Sequence, residues 1–143
     1  MSVSRTFKQT SNVSGEAVVR INGATANPTK ANSASIIADK MVWARSGDIV
    51  TASYNYAQTD NTGAAAGTGN YLFGLPIPAK TSQDTIGSCF VLSDSSEVYG
   101  TVKLSDTNNC ILFANSNVVS SANYDLATAN DTQYEFTVTY IAA

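Results

Sequence analysis

The sequence predicts an all-β domain, an antiparallel β-sandwich of the jelly-roll kind with eight to nine strands. Three observations predict this fold class. Apolar and polar residues alternate with a period of two in several segments, helical periodicity is nearly absent, and turn residues recur between the alternating segments. The 143 residues suffice for one domain with a sizeable core and are too few for two, so we expect residues 1–143 to form a single domain.

The clearest strand lies near the C-terminal end of the sequence. Its apolar residues fall on one face: Tyr134, Phe136, Val138 and Tyr140. Its polar residues fall on the other: Glu135, Thr137 and Thr139. A shift of one residue would expose the whole apolar set, so the register of this strand is strongly specified.

A β-hairpin is predicted in the first half of the chain. Residues 48–57 alternate between apolar and polar types, and residues 35–45 precede them as a second strand. The residues between them, Arg45-Ser46-Gly47-Asp48, are typical of a tight turn.

Shorter segments complete the predicted set of strands: residues 5–9, 17–21, 71–75, 88–92, 97–104 and 109–114. Three loops separate them, at residues 22–32, 58–69 and 116–131, and all three are rich in small polar residues, Gly or Ala. Because binding residues commonly lie on loops held by a rigid sandwich, the second and third loops are the first places to expect contacts.

Charge and hydropathy narrow the range of functions. Only 13% of the residues are charged, about half the usual share of roughly 25%, and the net charge is -3. The eight cations are scattered and form no basic patch, so we expect no nucleic-acid partner. No apolar run approaches the roughly 18 residues of a membrane span, and Met1–Phe7 lacks the apolar run of a signal peptide, so we expect no membrane insertion.

Residue types that carry catalysis are scarce, and we expect that the protein is not an enzyme and needs no cofactor. The sequence contains no His, which removes the commonest general base and metal ligand. Glycoside hydrolysis needs only carboxylates, but alternation places Glu16, Glu97 and Glu135 on solvent-facing positions as ordinary surface residues. The oxygen-rich segment Thr59-Asp60-Asn61 does not match a calcium loop, and we predict no metal site.

The two cysteines, Cys89 and Cys110, each lie in an apolar strand-like run. Two interpretations stay open. They are buried free thiols that act as small apolar residues, or they form a disulfide between neighbouring strands.

Aromatic residues provide the remaining lead. The chain has seven Tyr and one Trp, of which Tyr54, Tyr56, Phe136 and Tyr140 fall on predicted core faces. The roles of Trp43, Tyr99 and Tyr124 are left open by the pattern: packing in the core, stacking on sugar rings, or burial at a subunit interface.

Three motifs occur in a fixed order along residues 41–140. A W-x-R-x-G turn, Trp43-Ala44-Arg45-Ser46-Gly47, leads into an alternating strand. A loop then runs into Gly67-Thr68-Gly69-Asn70-Tyr71-Leu72-Phe73-Gly74-Leu75-Pro76. The chain closes on the F-x-V-x-Y strand Phe136-Thr137-Val138-Thr139-Tyr140. This order resembles the C-terminal β-sandwich heads of virion fibre and tail-fibre-like proteins of large DNA viruses and bacteriophages.

The resemblance implies a viral structural protein, a fibre-head or capsid-surface domain related in architecture to the tumour-necrosis-factor-like trimers. It implies a homotrimer located on the virion after synthesis in the host cytoplasm. Its expected partners are a host surface glycan or protein, or other virion proteins. In such proteins the positions of Trp43, Arg45, Gly67, Gly69 and Pro76 are architectural, and attachment to the host and decoration of the capsid are both compatible with them.

Four loop residues are the candidates for binding: Asp60, Asn61, Tyr124 and Asp125. Their polar and aromatic side chains lie in the two long loops where contacts are expected. An alternative function, a carbohydrate-binding module or lectin-like domain, would use the same kind of loop aromatics. A stable monomer would favour that alternative over the fibre head.

Overall fold

A computed structural model describes residues 12–143, which form ten strands and one short 3-10 turn at Ser33–Ser35. The strands are β1 (Val13–Ala17), β2 (Ile21–Gly23), β3 (Ile36–Ser46), β4 (Ile49–Gln58), β5 (Tyr71–Gly74), β6 (Thr85–Ser93), β7 (Ser96–Asp106), β8 (Asn109–Ala114), β9 (Asn117–Val118) and β10 (Thr132–Ile141). The predicted all-β antiparallel class is confirmed, with ten strands instead of eight or nine. No helix within residues 12–143 is long and apolar enough to cross a membrane.

The strands form one antiparallel sheet in the order β1-β3-β4-β10-β6-β7-β8-β5-β2, and β9 pairs with β8. The C-terminal strand β10 therefore lies between β4 and β6, near the centre of the sheet. Both its neighbours are long strands, which explains why the alternation in β10 is the clearest in the sequence.

The sheet curls so that its two halves face each other across the core. Phe73 lies on β5, four strands away from β10 in the sheet, yet its ring is 5.5 Å from that of Tyr134 and 5.8 Å from that of Phe136, both on β10. The Phe73 ring is also 6.4 Å from that of Tyr54 on β4. Such contacts require the sheet to fold back on itself, an arrangement consistent with a β-sandwich or jelly roll.

The core contains the aromatic residues that the alternation predicted. Tyr54, Tyr56, Phe136 and Tyr140 are all buried, as expected. The tyrosine hydroxyls within the core find partners, as buried polar groups generally do, whereas the buried Thr132 hydroxyl has none among the described residues. The Tyr56 hydroxyl donates to the side-chain oxygen of Gln58 at 2.8 Å, and the Tyr140 hydroxyl donates to the Ile77 carbonyl at 2.7 Å.

The predicted hairpin is confirmed. Its strands are β3 and β4, which pair from Ser46 opposite Ile49 to Ile36 opposite Gln58. A two-residue turn at Gly47-Asp48 connects them. The predicted strands at residues 71–75, 88–92, 97–104 and 109–114 correspond to β5, β6, β7 and β8. The predicted strand at residues 5–9 lies outside the described residues.

The predicted strand at residues 17–21 is wrong. Strand β1 ends at Ala17 and β2 begins at Ile21, because the chain crosses here from one edge of the sheet to the other: β1 pairs with β3, and β2 pairs with β5. The connecting residue Val18 is exposed, while Val19 beside it is buried. Alternation alone cannot distinguish such a link from a strand.

Two long loops pack together at one end of the sandwich. The side chain of Gln58, at the end of β4, donates to the Leu126 and Asn130 carbonyls at 2.9 and 3.1 Å. The Tyr71 hydroxyl accepts from the Leu126 amide at 3.3 Å. The loop before β10 is therefore fixed to the end of β4 and to β5.

Candidate functional site

A broad cleft crosses the outer face of the sheet, the face opposite to the core. It has a volume of about 980 Å³ and spans the five adjacent strands β3, β4, β10, β6 and β7. Pockets that bind small ligands have volumes of roughly 300–1,000 Å³, so the cleft is large enough for a ligand. Because it is built on paired strands, its floor is rigid.

A single row of side chains runs across this floor in register. Lys40 on β3 lies opposite Asn55 on β4, and Asn55 lies opposite Glu135 on β10. Glu135 in turn lies opposite Phe90 on β6, and Phe90 lies opposite Tyr99 on β7. Strand alternation places all five on the outer face, since the next residues, such as Met41, Tyr54 and Phe136, point into the core.

An aromatic pair occupies one end of the row. The Phe90 and Tyr99 rings are 5.2 Å apart between centroids and inclined at 52°. Tyr99 is 68% exposed, although large aromatic side chains are mostly buried in folded proteins. Its exposure gives the cleft an apolar surface that solvent can reach.

Hydroxyl groups form paired contacts on the same face. The Ser53 and Thr137 hydroxyls, on β4 and β10, are 3.1 Å apart, and those of Thr51 and Thr139 are 3.3 Å apart. On the same face, the side-chain amide of Gln133 on β10 donates to the side-chain oxygen of Asn55 on β4 at 3.4 Å. The centre of the face is therefore polar and can both donate and accept hydrogen bonds.

The charges of the cleft are unevenly paired. The Lys40 ammonium lies 3.0 Å from the Glu16 carboxylate on β1, which neutralises the cation at the edge of the cleft. Within residues 12–143, Glu135 has no ion-pair partner. Asp39 also borders the cleft, but its carboxylate accepts from the Lys30 ammonium and from the Tyr54 hydroxyl, both at 2.7 Å. The free negative charge of the cleft is therefore that of Glu135.

Two of the four predicted binding residues belong to the loop after β4. The Asp60 carboxylate accepts hydrogen bonds from the Thr62 amide at 2.9 Å and from the Ser35 hydroxyl at 2.8 Å. Both bonds lower the pKa of Asp60, and the bond from the Thr62 amide has the larger effect. The Asn61 side-chain amide donates to the Ala127 carbonyl. Asn61 therefore joins the two loops in which contacts were expected.

The other two predicted residues lie in the loop before β10. The Asp125 carboxylate is 6% exposed and accepts from the Ala127 and Thr128 amides, both at 3.1 Å. Tyr124 adopts a positive φ of 59°, packs partly buried against the core, and its carbonyl accepts from the Tyr134 hydroxyl. The structure gives these groups hydrogen-bonding or packing contacts within the fold, and their role in binding stays a prediction.

Sequence reasoning did not identify the cleft. None of the four predicted residues lines it. The alternation places Glu135 on the solvent face and leaves three roles open for Tyr99, with sugar stacking among them, so the sequence carries part of the signal. What was missing was the pairing of β6 with β7 and with β10, which brings Phe90, Tyr99 and Glu135 into one row.

The cysteines are both free and buried. Burial raises the pKa of the Cys89 thiol to about 11 and raises that of Cys110 further. Of the two interpretations left open by the sequence, the structure therefore supports free apolar thiols. No group of three His, Cys, Asp or Glu side chains within residues 12–143 is placed to hold a metal ion.

Comparison with known proteins finds similarity among solved structures. No protein-family model matches the sequence, and no curated protein matches it. The Dettilon tailspike protein (gp208) is similar in structure, with 14% sequence identity and a TM-score of 0.46. The match covers 89% of this chain and 23% of the tailspike chain.

Proposed function

We propose that this chain is a structural domain of a virus particle, of the fibre-head or capsid-surface kind, and that its outer sheet face contacts the host. The observation that carries the proposal is the open cleft on this face, with an exposed aromatic residue at one end and a polar centre. A rigid sheet that presents such a cleft suits recognition at a particle surface.

The residues that carry the sequence resemblance have architectural roles in the fold, which supports the proposal. Trp43 packs against the core and over Gly15 on β1, where an added Cβ atom would lie 3.1 Å from the indole ring. Gly67 and Gly69 both adopt positive φ, at 66° and 91°. These are the roles that the resemblance implied for Trp43 and the two glycines.

A binding role without catalysis belongs to the same proposal. Hydrolysis of a glycosidic bond ordinarily uses two carboxyl groups that flank the bond. Glu135 and Asp39 are the acidic residues that line the cleft. Asp39 is engaged by Lys30 and Tyr54, which leaves Glu135 as the free carboxylate among the residues that line the cleft. This arrangement favours binding over hydrolysis.

A homotrimer is the assembly that we propose. Closed cyclic symmetry is the usual outcome for soluble homo-oligomers, and the resemblance favours three-fold symmetry. Ile49 and Ile141 face each other across β4 and β10 and are 46% and 39% exposed, while Val13 and Ile49 line a second, smaller hollow. We propose this apolar patch as the subunit contact, because exposed apolar clusters commonly mark interfaces.

Light scattering coupled to size exclusion tests the assembly. The expected mass is three times that of the chain at micromolar concentration, and the double variant Ile49→Lys, Ile141→Lys should convert the trimer to a folded monomer. The double variant Val18→Lys, Thr85→Lys provides the control, since both residues are exposed and neither belongs to this patch. A stable monomer of the unmodified protein would contradict the fibre-head proposal.

A carbohydrate-binding module outside any virion is the second candidate function. The exposed Tyr99 beside Phe90 is the observation that supports it, because an exposed aromatic face is a surface on which sugar rings stack. A monomer that binds a glycan would support this candidate, whereas a trimer that does so would support a fibre head.

A further inference from the structure

Building on the proposed function, we infer that the outer cleft binds a neutral oligosaccharide. In this proposal Tyr99 is the stacking platform, and Glu135 accepts hydrogen bonds from the sugar hydroxyls. The proposal names the ligand class of the cleft, which the attachment function leaves unspecified.

The aromatic pair supplies the apolar half of the recognition. Sugar rings carry C–H groups on one face, and an exposed aromatic face is the surface that they contact. Tyr99 is available for this contact because it is 68% exposed, and Phe90 beside it limits the orientations of its ring. Both lie on paired strands, so the platform needs little ordering when a ligand binds.

The length of the row indicates an oligosaccharide. Adjacent strands are about 4.8 Å apart, so a row across five strands spans roughly 19 Å from Lys40 to Tyr99. Asn55 and Glu135 lie between these ends and can each bond to a hydroxyl group. Polar groups repeated at this spacing suit a ligand that itself repeats its hydroxyls along a chain.

Charge selects a neutral sugar. Within residues 12–143, Glu135 has no ion-pair partner, whereas the nearby cation, Lys40, is paired with Glu16 at 3.0 Å. Among these described residues, no arginine lines the cleft. A sialylated or sulfated glycan would bring its own negative charge to this site and be repelled, while a neutral hydroxyl group would donate to the Glu135 carboxylate.

The distribution of apolar groups disfavours a protein partner at the cleft. Its solvent-exposed apolar side chains lie at the two ends, with Ile37 and Val42 on β3 and the Phe90–Tyr99 pair on β6 and β7. Among the outward-facing side chains, Asn55, Glu135 and the Ser53–Thr137 hydroxyl pair occupy the middle. Stable protein interfaces have the opposite arrangement, an apolar centre with a polar rim.

A glycan array that carries neutral, sialylated and sulfated oligosaccharides tests the inference by comparing their binding. Calorimetry then measures the affinity of the strongest binder. Neutral glycans should bind best. Tyr99→Ala should weaken binding about tenfold, and Tyr99→Phe should restore most of it because the ring is kept. Glu135→Gln should narrow the difference between neutral and sialylated glycans.

A matched control variant is Glu97→Gln, which removes one carboxylate from an exposed position of β7 that does not line the cleft. It should leave both affinity and selectivity unchanged. Circular dichroism of each variant should match that of the unmodified protein, so that lost binding cannot come from lost folding.

Any of four outcomes would overturn the inference, the fourth being that no glycan binds. Preferred binding of sialylated or sulfated glycans would show that the assignment by charge is wrong. Binding that Tyr99→Ala leaves unchanged would move the glycan site elsewhere. A change of oligomeric mass in Tyr99→Ala would assign the cleft to subunit contact. A trimer that binds no glycan would refute this inference and leave the proposed virion function standing, whereas a monomer that binds no glycan would contradict both.

Discussion

Gly100 on β7 lies against the backbone carbonyl of Phe113 on β8, so closely that a Cβ atom at position 100 would overlap the carbonyl oxygen. The contact lies beside the outer cleft, since Gly100 follows Tyr99 and lines the cleft itself. The close pairing of β7 with β8 therefore requires glycine at this position.

We predict that Gly100→Ala destabilises the fold by about 2 to 3 kcal/mol, since the strands must separate to admit a methyl group. Gly74→Ala is the matched control: it is also a strand glycine, but an added Cβ atom there would lie 3.6 Å from its nearest neighbour, the Arg20 carbonyl oxygen. Urea unfolding monitored by tyrosine fluorescence measures both. Equal losses in the two variants would show that the contact with Phe113 has no energetic consequence.

The strands of this fold were predictable where alternation was long and one face was fully buried. Strand β10 is the best case, because its apolar face fills the centre of the core. The short strands β2 and β9, of three and two residues, carry too little pattern to be found. They form because longer neighbours, β5 and β8, offer backbone partners, which is a tertiary effect.

The candidate site was harder to predict than the fold, and the reason is register. Alternation assigned Glu135 to the outer face, but it could not tell which residue of β6 or β7 would lie beside it. The pairing of β10 with β6 joins segments more than 40 positions apart in sequence, such as Glu135 and Phe90. Loop residues such as Asp60 are predicted to bind because binding commonly lies on loops held by a rigid sandwich, whereas in the fold the Asp60 carboxylate accepts from Thr62 and Ser35.

Gln58 provides a test of a buried hydrogen-bond network. Its side chain is 3% exposed, donates to two carbonyls and accepts from the Tyr56 hydroxyl. Gln58→Leu should cost about 2 to 3 kcal/mol of unfolding free energy, because the buried Tyr56 hydroxyl and Leu126 carbonyl and the part-buried Asn130 carbonyl lose a partner. The measurement is chemical denaturation at neutral pH.

Gln83 is the control for this network. Its side chain also donates to two carbonyls, those of Lys80 and Ile141, but these bonds are exposed to solvent. Water can replace them, so Gln83→Leu should cost less than about 1 kcal/mol. A loss in Gln83→Leu as large as that in Gln58→Leu would mean that burial of the bonds is not what matters.

The two buried thiols should be inert in the folded protein. Burial raises the pKa of the Cys89 thiol to about 11, so at pH 8 very little of it is the reactive thiolate. A thiol reagent such as Ellman's reagent should give no rapid reaction in buffer and two equivalents in denaturant. The variant Ser88→Cys, one residue away on the exposed outer face, should add one equivalent that reacts at once. Rapid reaction of the unmodified protein would contradict the burial of Cys89.

Stability should fall in alkaline solution because of the core tyrosines. Burial raises the pKa of Tyr56, Tyr71 and Tyr140 from 10.0 to about 12. The folded state therefore binds these protons more tightly than the unfolded state does, and the slope of unfolding free energy with pH is negative between about 10 and 12. The contribution is fully present below pH 10 and is lost as pH rises toward 12.

Denaturation in urea at a series of pH values from 8 to about 11.5 checks this dependence. The contribution of these tyrosines to the unfolding free energy should stay constant up to about pH 10 and then decrease. The absorbance of tyrosinate should rise together with unfolding. Tyr140→Phe removes one of the three groups, so its slope above pH 10 should be shallower than that of the unmodified protein. A steeper or unchanged slope would show that Tyr140 does not contribute.

The turn between β8 and β9 offers a stabilising substitution. Asn115 and Ser116 form its two central residues, and both have positive φ, 50° and 67°. Hairpin turns of this type favour Asn followed by Gly, because a non-glycine residue in the left-handed region costs roughly 1 to 2 kcal/mol. Ser116→Gly removes that strain but adds about 0.5 to 1 kcal/mol of backbone entropy to lose on folding, so the net gain in stability should be about 0.5 kcal/mol.

The control is Ser96→Gly, at the first residue of β7, where φ is not positive and the same entropy cost should appear as a net loss of stability. Thermal unfolding of both variants should therefore move the midpoint in opposite directions, and a decrease for Ser116→Gly would refute the assignment of strain to this turn.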